Sequence, residues 1–275
     1  MRQNKFDILM KQVIDDKNTN VALWFNSPES ILGSLEQSTP NGRNGILCHG
    51  IKPEYRLQSY LTDKIDEVGP FIAAVMFDIG AFKQYPDAMK TAMRHARSKN
   101  IIVIADIEHT NALDTMLKAA IDGTLPADIV AMPRYSYRSP IDPRVFTNDI
   151  CAYIKPITQD LGSQKSHFLD PDLVQEIANE VRDNGEGRVG MMIGVEQKRA
   201  MQIARDTDPH MLLIVPGIEK DSSLASVPLA GIHALFPMPS NCLDEKTTPL
   251  WQMQINDMLN AALVRQHDAL VGGIK

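Results

Sequence analysis

The chain has 275 residues, of which 44% are hydrophobic, so it is long enough to bury one large core. Its formal net charge is −6 and its 28 Lys and Arg residues are scattered, which argues against a nucleic-acid partner. The three cysteines lie far apart without a Cys-x-x-Cys pair, as is typical of a reduced cytoplasmic protein. Because no apolar run approaches the roughly 20 residues of a membrane span, we expect a cytoplasmic chain without a membrane partner.

Eight short apolar segments predict strands along the chain. Continuous apolar runs of this length are typical of strands that are covered on both faces. In chain order the predicted strands are residues 21–25, 71–77, 101–107, 127–132, 151–157, 189–195, 211–215 and 232–236.

Helical patterns separate most of these strands. They cover residues 86–99, 112–122, 172–183, 196–205 and 250–266. Pro86 and Pro171 stand at positions that suit the first turn of a helix. The polar stretch 27–50, which contains Asn-Gly-Arg-Asn-Gly, predicts a loop or an extra hairpin after the first strand.

Strands that alternate with helices predict a parallel sheet covered by helices. Eight such units favour a closed TIM (β/α)8 barrel over an open sheet, and barrels of this class commonly have about 250 residues. We therefore expect residues 1–275 to form a single (β/α)8-barrel domain, with the polar stretch 27–50 as an insertion.

The third predicted strand ends in a cluster of polar side chains. These are Asp106, Glu108, His109 and Asn111. Active sites of α/β barrels lie at the carboxyl ends of the strands, so these residues are candidate catalytic groups, together with Asp78 after the second strand. The side chains of residues 106–111 would also suit a helix N-terminus, where acids and amides cap free backbone N–H groups.

Further residues at the strand ends are candidates for ligand binding. They are Asn26, Arg134, Tyr135, Lys155, Pro216, Gly217, Lys220 and Ser222. Lys220 and Ser222 would suit a small phosphorylated ligand, although polar loops at a barrel rim are also ordinary solvent-facing structure. Because the dinucleotide, P-loop and His-Glu-x-x-His motifs are absent from the sequence, no cofactor is expected.

Four segments in order resemble orotidine 5′-monophosphate decarboxylases, in particular the longer bacterial branch. They are IVIAD at 102–106, ADIVAMPRY at 127–135, VGMMIGV at 189–195 and LLIVPG at 212–217. The resemblance covers residues 71–220 and implies a TIM barrel, a homodimer and decarboxylation of a nucleotide. In that family the second acid of the signature serves the neighbouring subunit's site, which would place Asn111 near a subunit boundary.

The family's signature at the third strand, Asp-x-Lys-x-x-Asp, is incomplete. Asp106 matches its first acid, but Glu108 stands where the family's lysine protonates the carbanion, and Asn111 replaces the second acid. A further family lysine, at the second strand, falls at Met76 or Phe77. The catalytic lysines of the family are therefore missing at these positions.

The phosphate-binding part of the family also lacks a counterpart. Pro216 and Gly217 are followed by Ile-Glu-Lys-Asp-Ser-Ser rather than by a Gly/Gln-rich loop. No arginine occurs between Arg205 and Arg265, so the arginine that grips the substrate phosphate in the family has no equivalent.

Glu108 reverses the charge that decarboxylation needs, because that reaction requires a cation where negative charge develops. Two like charges about 4 Å apart repel each other by about 4 kcal/mol at an effective dielectric constant near 20. A decarboxylase that uses the family's mechanism is therefore not expected.

Three functions stay open. The first is a catalytically inactive or repurposed barrel that acts as a ligand-binding or interaction scaffold. The second is a metal-dependent lyase for a small phosphorylated substrate, with Asp78, Asp106 and Glu108 holding Mg²⁺ or Mn²⁺. The third is a surviving nucleotide decarboxylase in which Lys155 or Lys220 has taken over the catalytic role.

Overall fold

Eight parallel strands close into a barrel in which sequence neighbours are also spatial neighbours. The computed structural model describes residues 17–37, 51–107, 113–133, 151–155, 169–185, 187–219 and 221–272. The strands are β1 (Val21–Phe25), β2 (Ala74–Asp78), β3 (Ile102–Asp106), β4 (Ile129–Pro133), β5 (Cys151–Lys155), β6 (Val189–Met192), β7 (Leu213–Ile214) and β8 (Ala234–Pro239). This arrangement confirms the predicted single-domain (β/α)8 barrel.

Helices surround the barrel. Over the described residues they are α1 (Pro28–Gln37), α2 (Pro53–Val68), α3 (Pro86–Ser98), α4 (Leu113–Ile121), α5 (Pro171–Asn184), α6 (Lys198–Thr207), α7 (Val227–Ala230) and α8 (Thr247–Gly272). Pro86 and Pro171 occupy first-turn positions as predicted, and the Asp170 side chain caps α5 by accepting a hydrogen bond from the Asp172 amide at 2.9 Å. No helix in the described part of the chain has the length and apolar character of a membrane span.

The prediction of a loop or hairpin over residues 27–50 is wrong for its first part, because residues 28–37 form α1. The Ser27 hydroxyl accepts a hydrogen bond from the Ser30 amide at 3.2 Å, which stabilises the start of the helix. Ile31, Leu32 and Leu35 pack against the core at helical spacing, a short pattern that the surrounding polar residues obscure. Residues 38–50 lie outside the described part.

Helix α2 was not predicted either, although its sequence contains a regular apolar stripe. Leu57, Leu61, Ile65 and Val68 recur at helical spacing, and all four side chains are buried. Pro53 stands in its first turn. Sixteen residues with so clear a stripe would have been identifiable as a helix from the sequence alone.

The strand side chains divide into two buried layers. Outward-facing residues pack against the helices, whereas inward-facing residues such as Met76, Ile104 and Tyr153 fill the barrel interior. Because side chains alternate along a strand, this division fixes which residue of each strand faces the carboxyl end of the interior.

The amino-terminal end of the barrel is held together by Arg205 of α6. Its guanidinium group donates hydrogen bonds to the carbonyls of Ala230 at 2.7 Å, Pro209 at 3.1 Å, Met211 at 2.5 Å and His233 at 3.4 Å. Burial lowers the pKa of Arg205 to about 10, so the side chain is still charged at neutral pH. One cation thus links α6 to the residues that precede β7 and β8.

Replacement of Arg205 by methionine should destabilise the fold, because it leaves several carbonyls without their donor. We expect a loss of about 2–4 kcal/mol in the free energy of unfolding. Arg199→Met is the matched control, since Arg199 is exposed on the same helix and should change stability by less than about 0.5 kcal/mol. Urea unfolding with an unchanged m-value would measure both, and equal midpoints would contradict the role given to Arg205.

Candidate functional site

Two carboxylates mark the carboxyl end of the barrel. Asp78 ends β2 and Asp106 ends β3, and the two residues are direct partners in the register of these strands. Met76 and Ile104, two residues earlier, both lie in the barrel interior, so alternation turns the two acids to the same side. Asp106 is only 3% exposed, whereas Asp78 is partly exposed. The sequence prediction that these two acids converge is thus supported by the strand register.

Backbone hydrogen bonds position both acids. Asp78 Oδ1 accepts a hydrogen bond from the Ala81 amide at 3.1 Å, at the start of the short 3-10 segment Ala81–Gln84. The Asp106 carbonyl accepts one from the Ile79 amide at 2.9 Å. Asp78 therefore caps the start of this 3-10 segment, whereas residues 108–111, for which the sequence suggested a capping role after β3, lie outside the described part of the chain.

Apolar side chains occupy both positions where the resemblance places a lysine on β2. Met76 is fully buried in the barrel interior, in register with Trp24 of β1. Phe77 faces outward, with its ring centroid 5.2 Å from that of Phe25 and 5.8 Å from that of Phe82. Neither register of the comparison therefore gives a cation on this strand beneath the two acids.

The ends of β6 and β7 bring a third carboxylate to this rim. A Cβ atom on Gly194 would lie 2.5 Å from Glu196 Oε1, and one on Gly217 would lie 3.9 Å from Glu196 Oε2. The Glu196 side chain therefore lies over Gly194 and next to Pro216–Gly217. The resemblance implies a phosphate near Pro216–Gly217, and a carboxylate there disfavours an anion.

Gln197 supports Glu196 from a buried position. Its Oε1 accepts a hydrogen bond from the Leu169 amide at 3.0 Å, and its Nε2 lies 3.5 Å from Glu196 Oε1. Neither Glu196 nor Gln197 was among the candidate ligand-binding residues. The signal for Glu196 was available in the sequence, since an acid directly follows the sixth apolar run.

Most of the other predicted site residues fall outside the described part of the chain. These are Glu108, His109, Asn111, Arg134, Tyr135 and Lys220, and the side chains of Lys155 and Ser222. The backbone of Lys155 ends β5 opposite Pro133, and the backbone of Ser222 lies in a 3-10 segment after β7. Asn26 follows β1 and is exposed. Asp78, Asp106 and Pro216–Gly217 are thus the predicted residues whose surroundings are defined.

Cys242 lies in the short 3-10 segment that follows β8. Burial, and to a smaller extent the negative charge of Glu219, raises the pKa of its thiol. A thiol with a raised pKa holds less thiolate at neutral pH, so Cys242 is poorly suited to act as a nucleophile.

A complete metal-binding set is not present among the described residues, where no three His, Cys, Asp or Glu side chains form a group that could hold an ion. Asp78 and Asp106 would supply two oxygen ligands of the kind that Mg²⁺ and Mn²⁺ prefer. The third ligand in the prediction, Glu108, lies outside the described residues.

No protein-family model and no curated protein matches the chain in sequence. Solved structures nevertheless resemble it over nearly its whole length. Orotidine 5′-monophosphate decarboxylase from Plasmodium berghei has a TM-score of 0.68 at 13% identity, covering 94% of this chain and 99% of that one. OMP decarboxylase from Leishmania donovani has a TM-score of 0.66 at 17% identity, with coverage of 94% and 99%.

Another similar structure belongs to an enzyme with a different name, 7,8-dihydropteroate synthase from Vibrio fischeri. Its TM-score is 0.55 at 10% identity, covering 89% of this chain and 93% of that one. Likeness at such identities shows the fold alone. The chain is thus a TIM barrel whose fold is like that of OMP decarboxylases.

The loop between β7 and the following 3-10 segment depends on a glycine. Gly217 has a φ of 103°, and a Cβ atom there would lie 3.1 Å from Val195 Cγ1. Gly217→Ala should therefore cost about 1–3 kcal/mol of unfolding free energy. Gly33→Ala in α1 is the control, since open space surrounds the added methyl group and the change should be neutral or stabilising by about 1 kcal/mol. Equal melting temperatures for the two variants would contradict this assignment.

Proposed function

We propose that this barrel does not decarboxylate orotidine 5′-monophosphate by the family's mechanism and acts instead as a ligand-binding or interaction scaffold. The observation that carries this proposal is the buried methionine beneath the paired acids. Met76 is 0% exposed and lies one alternation below Asp78, where the mechanism needs a cation. A methionine can supply neither a positive charge nor a proton.

The charges at the rim support the same proposal. Asp78, Asp106 and Glu196 are all acidic, and the sequence adds Glu108 at the position of the family's proton donor. An anionic nucleotide would approach these carboxylates without the lysines that neutralise its charge in the family. Repulsion of that kind weakens binding and works against the developing carbanion.

Further parts of the proposal rest on the resemblance and on the sequence. We infer a homodimer in which the open ends of two barrels meet, with Asn111 near the boundary. We also propose a cytoplasmic protein without an organic cofactor. Any ligand would bind at the carboxyl end of the barrel, where loops of TIM barrels form their binding sites.

The first test is turnover of orotidine 5′-monophosphate. We expect no measurable decarboxylation and no thermal shift with uridine 5′-monophosphate. The reason is that the family's positions lack the cations that would neutralise the nucleotide's charge and protonate the carbanion. OMP decarboxylase from Leishmania donovani, assayed in parallel, serves as the positive control. Turnover that disappears in Lys155→Ala or Lys220→Ala would overturn the proposal and favour a decarboxylase with a relocated lysine.

A metal-dependent lyase is the second candidate function. The specific observation in its favour is the direct register of Asp78 with Asp106, because neighbouring strands lie only about 4.8 Å apart. A divalent ion held there with Glu108 would offset the acidic cluster and could polarise a small phosphorylated substrate.

Addition of Mg²⁺ or Mn²⁺ tests this second function. If the acids bind a metal, millimolar ion should raise the melting temperature, and Asp106→Asn should abolish the shift. Asp183→Asn is the control, since Asp183 is exposed in the last turn of α5, which leads into the amino-terminal end of β6. A melting temperature that stays constant in both ions would remove the metal-dependent function from consideration.

A further inference from the structure

Two histidines face each other at the amino-terminal end of the barrel, opposite the end that carries Asp106. His210 precedes β7 and His233 precedes β8. His210 Nδ1 lies 3.3 Å from His233 Nε2, with ring centroids 5.3 Å apart and planes inclined by 72°. We propose that this pair binds a divalent transition-metal ion of the zinc type.

The separation of the two nitrogens fits such an ion. Zinc binds imidazole nitrogens at about 2.0–2.1 Å in tetrahedral geometry, which places two ligand nitrogens about 3.3 Å apart. In the metal-free pair one ring donates its N–H to the other. On metal binding that proton moves to the far nitrogen of its own ring, so both facing nitrogens present lone pairs to the ion.

The backbone around both histidines is held in place before any ion binds. Arg205 donates to the carbonyls of Pro209 and Met211, which flank His210, and to the carbonyl of His233 itself. The His210 amide also donates to Asp208 Oδ1 at 2.9 Å. Such fixed surroundings lower the ordering cost of binding.

The pair lies at the edge of a cavity of about 400 Å³ that leaves room for water ligands. Asp206 and the charged Arg205 also line this cavity, and Asp206 Oδ1 accepts a hydrogen bond from Gln202 at 2.7 Å. Since the described residues form no group of three ligands, two histidines with water would complete the coordination. Nitrogen ligands favour zinc-type ions over Mg²⁺, which prefers oxygen.

Calorimetric titration of the full chain with Zn²⁺ tests the site. We expect Zn²⁺ binding that weakens at least tenfold in both His210→Gln and His233→Gln, whereas any heat of Mg²⁺ binding should be the same in these variants as in the unaltered chain. His95→Gln is the matched control, because His95 is a partly exposed histidine bonded to Asp66 on another part of the surface. That variant should bind Zn²⁺ like the unaltered chain.

Unchanged Zn²⁺ affinity in either His210→Gln or His233→Gln would overturn the proposal. Nuclear magnetic resonance of the unaltered chain gives a measurement that does not depend on the variants folding. The ring signals of His210 and His233 should shift together as Zn²⁺ is added, and constant signals would overturn the proposal as well.

Discussion

The alternation of inward and outward side chains around the closed barrel is the constraint on which the rest of the structure depends. Once β2 and β3 pair in register, the outward residues must be apolar to meet the helices, and the inward residues fill a narrow interior. Only the last inward residue of each strand reaches the carboxyl end. Asp78 and Asp106 hold that place on neighbouring strands, so two acids lie side by side at this end of the barrel.

Methionine at position 76 makes the interior beneath these acids apolar. Burying a cation at this depth would cost several kcal/mol unless an acid paired with it closely. In the family's mechanism this desolvation cost is offset, because the cation stabilises the carbanion in the transition state. With Met76 there is neither a desolvation cost nor electrostatic stabilisation from this position. The same side chain therefore favours packing of the interior and leaves this position without a cation.

The sequence predicted all eight strands because each is a continuous apolar run between polar turns, and burial on both faces demands that composition. Its errors have local causes. Helix α1 was missed because its stripe contains only Ile31, Leu32 and Leu35 within a polar stretch. Strand β8 continues through Pro237 and Pro239, which look like strand breakers. β7 pairs with β8 only up to Leu235. Pro237 and Pro239 lie beyond that point, so the backbone N–H groups that they lack are not needed for hydrogen bonds to β7.

The paired acids were predictable, because strand ends converge in any barrel of this class. The position of Glu196 beside Gly217 was not predictable, since it depends on how the loops that follow β6 and β7 pack against each other. Similar folds carry different enzymes, as the decarboxylase and dihydropteroate synthase structures illustrate. What a barrel does is decided by a few polar side chains at its ends. Here they are acids over an apolar interior at one end, and two facing histidines beside Arg205 at the other.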